Sequence, residues 1–173
     1  MSPRPSRGRP EPSYFGVYPA LVTSIEDPDN LSRVQLRLPT LAAEKGQDLL
    51  LWATLCTPYA DHDQGLVILP EVGSQVVVAF EAGDVHHPYV VGSTWSGRLP
   101  LPHGPESSNN IRVLRTRSDS RLEFDDAAEG PKISLTTHSG HQAVLDAGAS
   151  EVTATHSTGS TITPTAPGTT DIT

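Results

Sequence analysis

Residues 119–173 hold nine large apolar side chains in 55 positions: Leu122, Phe124, Ile133, Leu135, Val144, Leu145, Val152, Ile162 and Ile172. Ordering a residue costs about 1.5 kcal/mol, and burying a large apolar side chain returns about 3 kcal/mol at most. One such side chain in six positions cannot hold a packed domain together within a single chain. A fraction this low ordinarily marks disorder. The segment nevertheless alternates: Leu122 with Phe124, Ile133 with Leu135, and Val152 with Ala154 stand two apart, the period of a strand. It is rich in β-branched Thr. Turn-forming clusters recur at Asp125-Asp126, Glu129-Gly130-Pro131, Ser139-Gly140, Ala147-Gly148 and Thr158-Gly159. Composition leaves two outcomes open: a disordered Ser/Thr-rich tail, or strands that bury their faces against other chains in an intertwined β-structure.

The rest of the chain is unlike this segment. Residues 1–13 carry four Pro and three Arg with almost nothing apolar, and read as disordered. Residues 14–99 carry most of the apolar content in short runs between turns. The runs are Val17 to Ile25, Arg33 to Leu38, Leu49 to Cys56, Gln75 to Phe80 and Tyr89 to Ser93. Val34, Leu36 and Leu38 share one face of a half-buried strand, and Val76, Val78 and Phe80 share an inward face of another. The one helix-tolerant stretch, Leu41 to Asp48, is interrupted by Gly46. Five strands and little helix predict a small antiparallel barrel. Residues 100–118, rich in Pro, Ser and Asn, read as a linker.

Charge and cysteine count exclude several functions. Twelve Lys+Arg against 20 Asp+Glu give a net charge of −8 over 173 residues. This opposes nucleic-acid binding, which needs a basic face. One cysteine, Cys56, excludes an intrachain disulfide and a paired-cysteine zinc site. No run approaches the roughly 18 apolar residues of a membrane helix, and the N-terminus lacks the apolar core of a secretory signal.

No catalytic constellation is present, so no enzyme activity and no cofactor are expected. The pairs Glu26/Asp27 and Asp125/Asp126 read as turn residues. Cys56 reads as a buried small hydrophobe, and Trp52 and Trp95 as packing residues. His86 and His87 fall in a solvent-facing turn, and His138 and His141 flank a Ser-Gly turn. His156 shares strand parity with Val152 and Ala154. A structural histidine is expected at His156, with no metal.

Four stretches together resemble the barrel of the central-spike family of contractile injection systems. That family includes phage baseplate assembly protein V and the VgrG proteins of type VI secretion. The stretches are Ser32-Arg33-Val34-Gln35-Leu36-Arg37-Leu38-Pro39, then Trp52-Ala53-Thr54-Leu55, then Ile68 to Phe80 (ILPEVGSQVVVAF), then Gly83 to Ser93 (GDVHHPYVVGS). They occur in the family's order and cover about 65 residues. Arg117 to Asp126 (RSDSRLEFDD) resembles the entry to the family's needle, and Ser139 to Asp146 a second pass of it.

The resemblance implies an all-β chain: an OB-fold barrel at 14–99 followed by an intertwined trimeric β-helix, the needle, at 119–173. It implies a non-enzymatic homotrimeric spike of a contractile phage tail or phage-like injection particle, assembled in the cytoplasm and released with the particle. The implied partners are a hub, a small conical PAAR-type tip protein and, for some members, an effector. The membrane is met only on piercing. Only 13 residues precede the barrel, where VgrG proteins carry a fused hub, so a separate hub protein is expected. The tip is expected to dock near Ser160, Thr161, Ile162, Thr163 and Pro164. The competing reading is an OB-type module for oligosaccharide or nucleic acid with a disordered Ser/Thr-rich tail.

Overall fold

The structure, a computed structural model, describes residues 13–42, 48–97, 99–165 and 169–172. Residues 1–12 of the expected disorder and 43–47 of the helix-tolerant stretch at 41–48 lie outside these residues, and Leu41, Ala42 and Asp48 are in strands. The chain divides into two compact units, Met1–Leu99 and Pro100–Thr173.

The first unit contains β1 (Val17–Ser24), β2 (Arg33–Ala42), β3 (Asp48–Leu55), β4 (Ala60–Asp61), β5 (Gln64–Gly65), β6 (Gln75–Phe80) and β7 (Pro88–Ser93). Five of these close into a barrel in the order β1-β2-β3-β7-β6, with β6 returning to β1. Every pairing is antiparallel except β3 with β7. This is OB-fold topology, as expected. Closure leaves no free strand edge. Alternation then places one face of each strand inside, and Val34, Leu36, Leu38, Val76, Val78 and Val90 are all fully buried. Phe80 caps this core with Tyr14 and Tyr18, whose ring centroids lie 5.8 and 5.4 Å from its own.

Between β3 and β6 an excursion carries the small β4–β5 hairpin, which the sequence reading did not anticipate. Two packing expectations are corrected here. Cys56 is exposed. Ala53 and Leu55 hold the inward parity of β3, so Cys56 falls on the outward side. Trp95, just beyond the last barrel strand, is 62% exposed. Trp52 is half-buried, with the Arg33 guanidinium 5.8 Å from its ring centroid.

The second unit contains β8 (Ile111–Arg115), β9 (Arg121–Asp125), β10 (Lys132–Thr136), β11 (Gln142–Asp146), β12 (Glu151–Thr155), β13 (Thr161–Thr165) and β14 (Thr169–Ile172). They form one antiparallel sheet in chain order. β8 lies inside the segment read as a linker; its Ile111-Val113 alternation is hidden among Ser and Asn. None of the fully buried apolar residues of the described chain belongs to this sheet.

Candidate functional site

The register of the second sheet puts most of its large apolar residues on one side, while Ile111, Val113 and Val144 fall on the other. Phe124 stands opposite Ile133, Ile133 opposite Leu145, and Leu145 opposite Val152. A parallel row runs from Leu114 through Leu122, Leu135, Ala143 and Ala154 to Ile162. Leu114, Phe124, Ile133, Leu135, Leu145, Val152 and Ile162 are each between 39% and 52% exposed. On the opposite side Glu123, Ser134, Thr136, Val144, Asp146, Thr153 and Thr155 are half-buried, while Lys132, Gln142 and Glu151 are exposed. The sheet therefore covers its polar side better than its apolar one. A soluble sheet normally does the reverse. Phe124, Ile133, Leu145 and Val152 line a shallow depression of about 460 Å³ on the apolar side.

The turns at one end of the sheet repeat a single design. Residues 116–120, 137–141 and 156–160 each close with the amide of the first residue donating to the carbonyl of the fifth. The fourth residue donates back to the first and takes a positive φ: Asp119 at 66°, Gly140 at 90° and Gly159 at 100°. The first side chain seals the turn. Thr116 Oγ1 accepts from the Ser120 amide at 3.1 Å, Thr137 Oγ1 from His141 at 3.1 Å, and His156 Nδ1 from Thr158 at 3.2 Å. Three hairpins of near-equal length thus stack in register, each with its apolar pair on the same side.

His156 opens the third of these turns. Its ring lies 4.4 Å, centroid to centroid, from that of His141. The pairing of Gln142 with Thr155 brings the two together one step beyond the strands. Each Nδ1 accepts a backbone N–H, from Ser157 into His141 and from Thr158 into His156. The Nδ1 lone pair of His156 is thus engaged within its own turn and that of His141 by the neighbouring one. Hairpin register, unavailable from spacing alone, was the missing signal for His141. Among the described residues, no three His, Cys, Asp or Glu side chains gather as a metal would need. Ser160 closes this turn, and Thr161, Ile162, Thr163 and Pro164 lie in β13, an interior strand paired with β12 and β14.

The acidic pairs have turn roles. Asp27, whose side chain is 4% exposed, accepts from the amides of Asp29, Leu31 and Arg33 and from the Arg33 guanidinium at 2.7 and 3.0 Å. The Arg33 contact, aided by these amides, holds the Asp27 carboxyl far below its usual range. Asp126 pairs with Arg112 at 2.7 Å. His87 Nδ1 lies 3.0 Å from Asp84, whose carboxyl is lowered mainly by the His86 amide.

The barrel matches a family model described as the type VI secretion system/phage-baseplate injector OB domain, over residues 18–95. The type VI secretion system spike protein VgrG3 of Vibrio cholerae is 25% identical over 130 residues, 72% of this chain and 13% of the relative. The spike protein VgrG4b of Pseudomonas aeruginosa is 26% identical over 120 residues, 66% of this chain and 15% of its own. A Vibrio cholerae protein named actin cross-linking toxin VgrG1 is 26% identical over 137 residues, 73% and 12% respectively. The chain spans less than a sixth of the length of these relatives.

Proposed function

We propose that the chain, whose barrel matches the type VI secretion system/phage-baseplate injector OB domain and which resembles VgrG spike proteins over most of its length, is a non-enzymatic homotrimeric central spike. The observation that carries the proposal is the uncovered apolar side of the second sheet. A single layer with its apolar residues facing water needs a second layer. Three copies turned inward supply it for one another, and the number three comes from the family resemblance. Each strand's apolar pair then becomes one layer of a shared core, and the stacked hairpins become a needle.

The task of such a needle is mechanical. It concentrates the force of a contracting sheath on a small area of target envelope, and a wound trimer resists unfolding under that load. The barrel faces a baseplate hub. The end of the needle, at Ser160 to Pro164 and the adjoining edge strand, receives a small conical tip protein. Assembly takes place in the cytoplasm, within a phage tail or phage-like particle that is then released.

Light scattering after size-exclusion chromatography tests this directly. The expected mass is three times the 18.4 kDa of one chain, unchanged on dilution. A monomer at micromolar concentration overturns the proposal.

A further inference from the structure

Trp95 follows the last barrel strand with most of its indole in solvent. It overhangs a cleft of about 810 Å³ in the barrel unit, with Ser74, Gln75, Ser93 and Thr94 in its walls. That volume lies within the range of about 300–1,000 Å³ usual for small-ligand sites.

Three properties of the cleft narrow what fits. The backbone nearby is already committed: Val22 donates to Ser74 at 3.0 Å, Gly73 to Val22 at 2.8 Å and Thr94 to Gln75 at 3.1 Å. An added peptide strand would find no free edge at these positions. The side chains of Ser74, Gln75, Ser93 and Thr94 make no hydrogen bond to any described residue, and Ser74 and Gln75 are half-buried. Hydroxyl and amide groups thus face the cleft unspent. The described lining carries no charged residue. A ligand with a flat apolar face, many hydroxyls and no charge satisfies all three.

We infer that this cleft is a subsite for a neutral saccharide, with Trp95 as its stacking platform and Gln75 and the hydroxyls as its hydrogen-bonding wall. The site lies within the barrel unit and stands independently of the trimer proposal. Its test is calorimetric titration of the full chain with cellohexaose, maltohexaose and chitohexaose, following indole emission in parallel. One of the three should saturate with a dissociation constant on the order of 1 mM. Trp95→Ala should weaken that binding about tenfold, and Gln75→Leu should weaken it while the mass of the particle stays unchanged. The Trp95→Phe variant separates Trp95 emission from that of Trp52. Failure of all three glycans to bind overturns the inference, as does equal binding by Trp95→Ala. Buried-type Trp95 emission before any glycan is added also overturns it, because another copy of the chain then fills the cleft. Equal quenching by a neutral Gly/Ser peptide overturns it as well.

Discussion

The barrel and the second sheet are built from the same short alternating strands, yet one buries its apolar face and the other leaves it in water. The barrel curls until β6 meets β1, and its inward residues become one another's cover. The sheet keeps two edges, β8 and β14, and one layer. Alternation therefore decides which side is apolar, and closure decides whether that side is buried. A chain with one large apolar residue in six can complete such a layer only with atoms from elsewhere.

The strongest way to break this contrast is to charge each face in turn. Leu135→Asp, at the centre of the apolar side of the sheet, should abolish assembly, because three like charges would meet in a shared core. Light scattering should read a single chain while the barrel remains folded by its NMR amide dispersion. An assembled Leu135→Asp would show that the face is not the interface.

Leu36→Ala probes the barrel instead. Leu36 is fully buried, and its truncation should cost about 3 kcal/mol through lost transfer energy and a residual cavity. Urea unfolding followed by Trp52 emission should show this loss without dependence on chain concentration. A concentration-dependent loss would mean that the barrel also draws its stability from other copies.

Asp27 sets a pH signature within the barrel. Its carboxyl is held far below the ordinary 3.8 by Arg33 and three amides. A lowered folded value stabilises the native state above the unfolded value, and that stabilisation is lost as pH falls below 3.8 towards the folded one. Asp27→Asn should lower the barrel's melting temperature at pH 7. The gap between variant and parent should narrow as pH drops through this window. A gap constant with pH would assign the effect to geometry rather than charge.

Much of this contrast was legible in the sequence. The barrel strands were readable because runs such as Arg33 to Leu38 alternate without interruption between strong turn signals. Leu122/Phe124 and Ile133/Leu135 showed two sheet strands for the same reason. What escaped depends on context beyond period. β8 was hidden because Ser and Asn flank a five-residue strand. Cys56 and Trp95 sit at strand ends, where one step of parity reverses exposure and no local residue fixes where the strand stops. The His141–His156 contact follows from hairpin register, which is a property of two strands. The uncovered face itself was foreshadowed by the scarcity of apolar residues. Its precise membership, including Leu114, required the pairing.

The smallest effect sharpens the contrast most. Gly140 and Gly73 both adopt positive φ, at 90° and 88°, one in a sheet turn and one beside the barrel. A Cβ on Gly73 meets nothing within 4 Å, and one on Gly140 only the Ser157 Cβ at 3.7 Å. Alanine at either position therefore costs backbone strain alone, about 1 kcal/mol per chain. In the barrel that cost stays with one chain. In a three-chain needle that unfolds as a unit, three copies of Gly140→Ala act on one transition, for about 3 kcal/mol per particle. Asn tolerates this backbone region better than Ala, so Gly140→Asn should recover part of the loss. Thermal melts over a range of chain concentrations measure both variants. A larger loss of unfolding free energy per cooperative transition, fitted from the melts, for Gly140→Ala than for Gly73→Ala supports the shared core; the melting temperature itself shifts by a ratio in which the chain number cancels. Equal losses would mean that the sheet unfolds one chain at a time, as the barrel does.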